Sequence, residues 1–134
     1  MSERPPDTFG DALTGPFWEA ARGRRLVVQR CRDCGRHQFY PRPFCLACGG
    51  PRLDWVPSKG MATVYALTTV HIPVIPELKP PYVVALVELD EGPRMTTNIV
   101  GGTCRIGDRV RIAWRERSDL PPLPVFEQVG GGAI

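Results

Sequence analysis

The sequence predicts a mostly β chain: one short N-terminal helix, a metal-stapled ribbon, then a small five-stranded barrel. Three observations carry that prediction. Four of the five cysteines stand in two C-x-x-C pairs, Cys31/Cys34 and Cys45/Cys48, separated by ten residues. Beyond Gly60 the apolar residues recur with period two, with no helical period among them. The 134 residues include 15 Pro and 14 Gly, a density that breaks helices. At 43% hydrophobic the chain can still bury a core, and a loop-rich fold of this size needs a staple beside that core.

Residues 1–24 read as an arm and a short helix. The first thirteen are polar, with Pro5 and Pro6, and form a loose arm. The helix starts near Thr14 to Pro16, where Thr14 or Gly15 can cap and Pro16 is tolerated in the first turn. It runs through Phe17, Trp18 and Ala21 to Arg22, and Gly23 stops it. So short an apolar side must dock, on its own domain or on a partner.

Residues 25–57 read as the ribbon. Leu26 to Arg30 leads into the first cysteine turn; Gln38 to Tyr40 and Leu53 to Val56 supply the other strands. The chain has no apolar h-region at its start, so a cytoplasmic protein with reduced thiols is expected. Two C-x-x-C units then point to four-thiolate metal binding rather than to disulfides. Each pair is followed by glycine, Gly35 and Gly49, which can take positive φ and turn backbone amides toward the thiolates. Rubredoxin uses the same C-x-x-C-G turns for iron, but the short spacer and the lack of an aromatic cage favour zinc. With Cys31, Cys34, Cys45 and Cys48 filling all four positions, the metal is structural. Cys104, far away, reads as a small core hydrophobe.

Residues 58–129 read as the barrel, with 130–134 as a tail. The first strand runs over Val64 to Val70, and Tyr82 to Leu89 is buried more deeply. Asp90-Glu91-Gly92-Pro93 turns the chain into Arg94 to Val100; this bend accounts for the paired carboxylates better than an acid–base pair does. After Gly107-Asp108 the alternation is clean: Val110, Ile112 and Trp114 inward, Arg109, Arg111 and Arg115 outward. A last strand, Val125 to Val129, follows a bend at Pro121, Pro122 and Pro124. Five such strands suggest the OB type of barrel. The longest loop is Ile72 to Pro81. No apolar run approaches the roughly 18 residues needed to span a membrane.

Charge divides the chain. Residues 21–59 hold nine basic groups against Asp33 and Asp54, a balance of +7, while the remainder carries −4. Zinc on four thiolates subtracts two, leaving the ribbon near +5. That excess suits an anionic partner or a solvated face.

Several segments together resemble one family: Phe17-Trp18, Leu26 to Cys34, Phe39-Tyr40-Pro41-Arg42 before Cys45-Leu46-Ala47-Cys48-Gly49, Gly60 to Thr69, Pro81 to Gly92, and Ile106 to Val110. The chain is similar to the bacterial and archaeal OB-fold proteins with an N-terminal rubredoxin-like zinc ribbon. The resemblance implies a helix, a zinc ribbon and an OB barrel. It also implies an accessory subunit of an acyl-CoA enzyme complex: a thiolase, an acyltransferase, a hydroxymethylglutaryl-CoA-type condensing enzyme, or a lyase such as the aldolases of steroid side-chain breakdown. The partner would be a thiolase-like subunit, with a hydratase domain or subunit as a further associate. The partner would carry the chemistry, and this chain would support its fold and help form the acyl-CoA channel. Only the metal positions transfer residue by residue. Arg42, Arg52 and His71 are candidate acyl-CoA contacts, since a phosphate-rich ligand needs such donors.

Two other readings stay open. An OB barrel with a basic ribbon can bind single-stranded nucleic acid, using Tyr65, Tyr82, Trp114 or Phe126 as platforms; the overall charge of +3 argues against it. A rubredoxin-like iron site would transfer electrons. As an independent enzyme the chain reads poorly. His37 and His71 have no evident nucleophile or carboxylate partner, and no P-loop, dinucleotide or G-x-S-x-G motif occurs.

Overall fold

In the computed structural model, which describes residues 13–74, 76 and 78–129, a helix leads into two successive sheets. The expected arm up to residue 12 and the tail at 130–134 lie outside the described residues.

Helix α1, Gly15–Arg22, carries Pro16 in its first turn and ends at Gly23, whose amide donates to the Ala20 carbonyl at 3.0 Å. Thr14 holds the N-cap position without a side-chain cap bond; its carbonyl accepts from the Trp18 amide at 3.2 Å. Phe17, Ala20 and Ala21 are buried. The helix docks on its own domain, against the last barrel strand and the first ribbon strand.

The ribbon is a three-stranded antiparallel sheet in the order β2-β1-β3, with β1 at Val27–Cys31, β2 at His37–Gln38 and β3 at Leu53–Pro57. The second strand is shorter than the Gln38 to Tyr40 expected. Phe39 and Tyr40 leave the sheet, and the Phe39 ring packs 5.4 Å from Phe17. Burial against the helix outweighs continued strand pairing there.

The second sheet closes into a barrel of β4 (Met61–Val70), β5 (Tyr82–Leu89), β6 (Arg94–Val100), β7 (Arg109–Arg117) and β8 (Leu120–Gln128), ordered β4-β5-β6-β8-β7. Val64, Val87, Leu89, Val110 and Phe126 fill it, and Leu26 to Val28 and Phe17 belong to the same core. Along β7, Val110 is fully buried and Ile112 and Trp114 pack against the core, while Arg111 reaches Glu127 at 2.8 Å outside. Gly60 enters the barrel at φ +76°, and a Cβ there would stand 2.4 Å from the Ile112 Cγ2. Only glycine fits.

In the barrel, β4 begins at Met61, before the expected Val64, and β8 departs further. The prolines at 121, 122 and 124 lie inside β8, which starts at Leu120 rather than Val125. Proline's fixed φ suits extended backbone, and its missing donor costs least on an edge without a partner. β8 pairs with β6 in parallel through only two positions, Ile99↔Phe126 and Val100↔Glu127. Before that point a seam opens. The Thr97 hydroxyl bridges it to the Pro124 carbonyl at 3.0 Å. On the ribbon side, the Tyr40 hydroxyl accepts from the Thr96 amide at 3.1 Å. Helix α1, Phe39 and Tyr40 line a mainly apolar cleft of about 250 Å³ over this seam.

At the hairpin end, Arg109 grips Asp90 with two hydrogen bonds, at 2.7 and 2.9 Å. These bonds, against a desolvation cost and with help from the guanidinium charge, hold the Asp90 carboxyl below its ordinary range. A carboxyl lowered on folding adds stability above its unfolded pKa, and that stability is lost as pH falls through the folded value. The Arg109 and Asp90 side chains are 46% and 34% exposed, so the gain is at most about 1 kcal/mol. Asp90→Asn should therefore melt slightly below the parent at neutral pH, with the gap closing in acid. A gap that persists or widens in acid would contradict this.

Candidate metal centre

The two cysteine turns are built alike. In the first, β1 ends at Cys31, the Gly35 amide donates to the Cys31 carbonyl at 2.9 Å, and the Cys31 amide donates to Arg36 at 2.9 Å. In the second, the Gly49 amide donates to the Cys45 carbonyl at 2.8 Å and the Cys45 amide to Gly50 at 2.8 Å. Gly35 and Gly49 both take φ +79°, the left-handed turn their place after each pair predicts.

The four sulfurs converge. All lie within 4.8 Å of one another, with Cys31–Cys48 and Cys34–Cys45 separations of 3.6 Å. A tetrahedral ion with Zn–S bonds of about 2.3 Å needs sulfur–sulfur edges of about 3.8 Å, so the donor set fits zinc. Cys31 and Cys45 are buried and Cys34 and Cys48 exposed. The amides of Cys48 and then Ala47 pull the Cys45 thiol down to about 6. On Cys48 the Gly50 amide pulls down, but the neighbouring sulfurs and desolvation outweigh it and push the thiol up to about 12. Four sulfurs this close cannot all ionise unless a cation offsets their charge.

Two buried glutamines place the second turn. Gln29 Oε1 accepts from Gln38 Nε2 at 2.8 Å and from the Arg42 amide at 2.9 Å, while its Nε2 donates to the Arg42 carbonyl at 3.0 Å. Gln38 also donates to the Phe44 carbonyl at 3.2 Å and accepts from the Leu46 amide at 3.0 Å. Residues 42–46 are thus pinned to the ribbon sheet by side chains that sequence reading passed over. Polar residues inside a short strand are the only signal that could have found them. Two ion pairs brace the outside: Arg52 with Asp33, and Arg32 with Asp54 at 2.8 Å.

The candidate acyl-CoA contacts do not form one cluster. Arg52 is engaged by Asp33. Arg42 is exposed on the pinned loop. His71 is exposed beyond the end of β4 opposite the Asp90–Pro93 hairpin. His37 is half-buried on β2. Glu91 accepts from the Ser58 hydroxyl at 2.9 Å and the Lys59 amide at 2.8 Å, tying the hairpin to the segment that joins ribbon to barrel. With Asp90 on Arg109, both carboxylates of the bend have structural work. Cys104 is half-buried against the core rather than fully inside, and burial, then the Asp108 charge, pushes its thiol up. Of the aromatic platforms, Phe126 is fully buried, Trp114 packs on the core, and Arg94 covers Tyr65 at 3.7 Å. Among the described residues no helix is long and apolar enough to cross a membrane.

Comparison with known proteins matches this architecture. Residues 18–54 match the rubredoxin-like zinc ribbon domain of ChsH2, and residues 55–115 match the ChsH2 C-terminal OB-fold domain. The chain is 45% identical over 114 residues to a probable enoyl-CoA hydratase alpha subunit of Thermomonospora curvata, covering 82% of this chain and 36% of that protein. It is 32% identical over 120 residues to the 3-oxo-4,17-pregnadiene-20-carboxyl-CoA hydratase alpha subunit of Mycobacterium tuberculosis, covering 84% and 37%. It therefore spans little more than a third of the length of either. A solved chain of the Ltp2-ChsH2(DUF35) aldolase superposes with a TM-score of 0.82 at 40% identity, covering 93% of this chain and 98% of that one. A zinc ribbon of four cysteines, an OB barrel and near-complete overlap with a DUF35 chain have one reading: the protein belongs to the ChsH2 DUF35 family.

Proposed function

We propose that this chain is the non-catalytic accessory subunit of an acyl-CoA aldolase acting in steroid side-chain breakdown. It would seat against a thiolase-like enzyme subunit, stabilise it and help form its acyl-CoA channel. The observation that carries this reading is the overlap with the ChsH2(DUF35) chain of a solved aldolase, over 98% of that chain. The two hydratase alpha subunits suggest a hydratase domain or subunit as a further associate. Cys31, Cys34, Cys45 and Cys48 would hold a zinc ion, whose chemistry here is to crosslink two turns, since four sulfurs leave no open position. The chain's own contribution is then a rigid surface rather than reacting groups.

Co-expression with an Ltp2-type chain tests the reading. The two should co-purify, and cleavage of a steroid acyl-CoA substrate should need both. An Ltp2-type chain equally soluble and active alone would overturn it. A salt-sensitive shift of single-stranded oligonucleotide would favour the nucleic-acid reading, and a red, iron-containing protein the electron-transfer one.

A further inference from the structure

The second cysteine turn carries a surface that the ribbon's own stability does not require. Phe44 and Leu46 are 47% and 60% exposed, on either side of buried Cys45. Large apolar side chains scattered singly on a surface need no explanation, but neighbours on a rigid loop do. This loop is rigid: Gln38 grips the Phe44 carbonyl and the Leu46 amide, and Gln29 grips both backbone groups of Arg42. Leu46 lines a groove of about 320 Å³ that also takes in Arg36 from the first turn, His37 on β2 and Pro93 from the barrel hairpin.

The charge around this loop has no internal answer. The ribbon's two carboxylates, Asp33 and Asp54, are taken by Arg52 and Arg32. Arg36 and Arg42 are exposed, and neither guanidinium has an ion-pair or hydrogen-bond partner among the described residues. Two apolar anchors flanked by two uncompensated arginines, on a loop fixed before any encounter, lose little entropy on docking.

We propose that the second cysteine turn anchors this chain to its enzyme partner: Phe44 and Leu46 enter an apolar recess on the partner, and Arg36 and Arg42 meet carboxylates on its rim. The proposal rests on the accessory-subunit reading and assigns the surface that performs it. Of the other exposed large apolar side chains, Ile72 and Val74 lie on the long loop after β4, Ile106 stands singly on the turn that Asp108 holds, Leu120 opens β8, and Tyr40 and Tyr65 are engaged by the Thr96 amide and by Arg94.

The test measures affinity of the full chain for an Ltp2-type aldolase subunit, with zinc content and thermal melting recorded for every variant. Phe44→Glu/Leu46→Glu should weaken binding by about a hundredfold or more, as loss of central anchors does. Arg36→Glu/Arg42→Glu should weaken it by roughly tenfold or more and reduce its salt dependence. Ile72→Glu/Ile106→Glu should bind like the parent. If the parent binds and both turn variants bind as tightly, this surface is not the anchor, although the accessory role survives. If the parent does not bind at all, the accessory role fails and takes the anchor with it. Should the Phe44/Leu46 variant lose zinc, the arginine pair, changed only at exposed tips, decides.

Discussion

Cys48→Ser is expected to cost at least about 3 kcal/mol, out of a domain stability of roughly 5–15 kcal/mol, and to release the zinc. Cys48 is exposed, so exchanging its sulfur for oxygen removes little packing. Nearly all of the effect should come from the ion. Structural zinc contributes about 10–16 kcal/mol of apparent binding energy in small fingers, and this ribbon has little else. Its edge strand β2 is two residues long, and its buried apolar groups lie at one end, around Leu26 to Val28. A chelator should reproduce the loss. Melting followed by circular dichroism should fall by about 10 °C or more, with an early phase from the ribbon. Cys104→Ser serves as the control. It is half-buried outside the sulfur cluster and should keep a full equivalent of zinc. A Cys48→Ser protein with one bound zinc and parental melting would refute the four-sulfur assignment.

Features written in local spacing were legible in advance. The C-x-x-C-G repeat dictates the turns, the left-handed glycines and the convergence of four sulfurs. The alternation from Arg109 to Trp114 gives the inward face of β7. The Asp-Glu-Gly-Pro run gives the hairpin. Features set by distant partners were not legible. Nothing near Gln29 or Gln38 announces that their amides will hold a loop, because their partners are backbone groups up to thirteen residues away. Arg52 reads as a free phosphate donor until the fold brings Asp33 to it. The prolines of β8 carry a turn signal, and only the open seam beside them makes an extended strand the better conformation. Tyr40 reads as strand, yet its hydroxyl serves a barrel amide fifty-six residues away.

That seam makes Phe17→Ala the second large effect. Phe17 is 5% exposed, stands edge-on to Trp18 at 4.9 Å and tilted to Phe39 at 5.4 Å, and belongs to the core shared by ribbon and barrel. Truncating a buried phenylalanine costs about 3–5 kcal/mol. The new space adjoins the open cleft over the seam, so water can enter and the lower end of that range applies. The structural consequence should be local first. An eight-residue helix has little stability of its own, and without its largest anchor it should leave β8. Amide exchange should then quicken in α1 and along the facing edges of β6 and β8 before it does in β4 and β5, which pair along almost their whole length. Zinc should stay bound, which separates this loss from that of Cys48→Ser. Phe17→Leu keeps most of the volume and should cost under about 1.5 kcal/mol. Parental melting in Phe17→Ala, or protection lost evenly around the barrel, would mean that the helix does not close the seam.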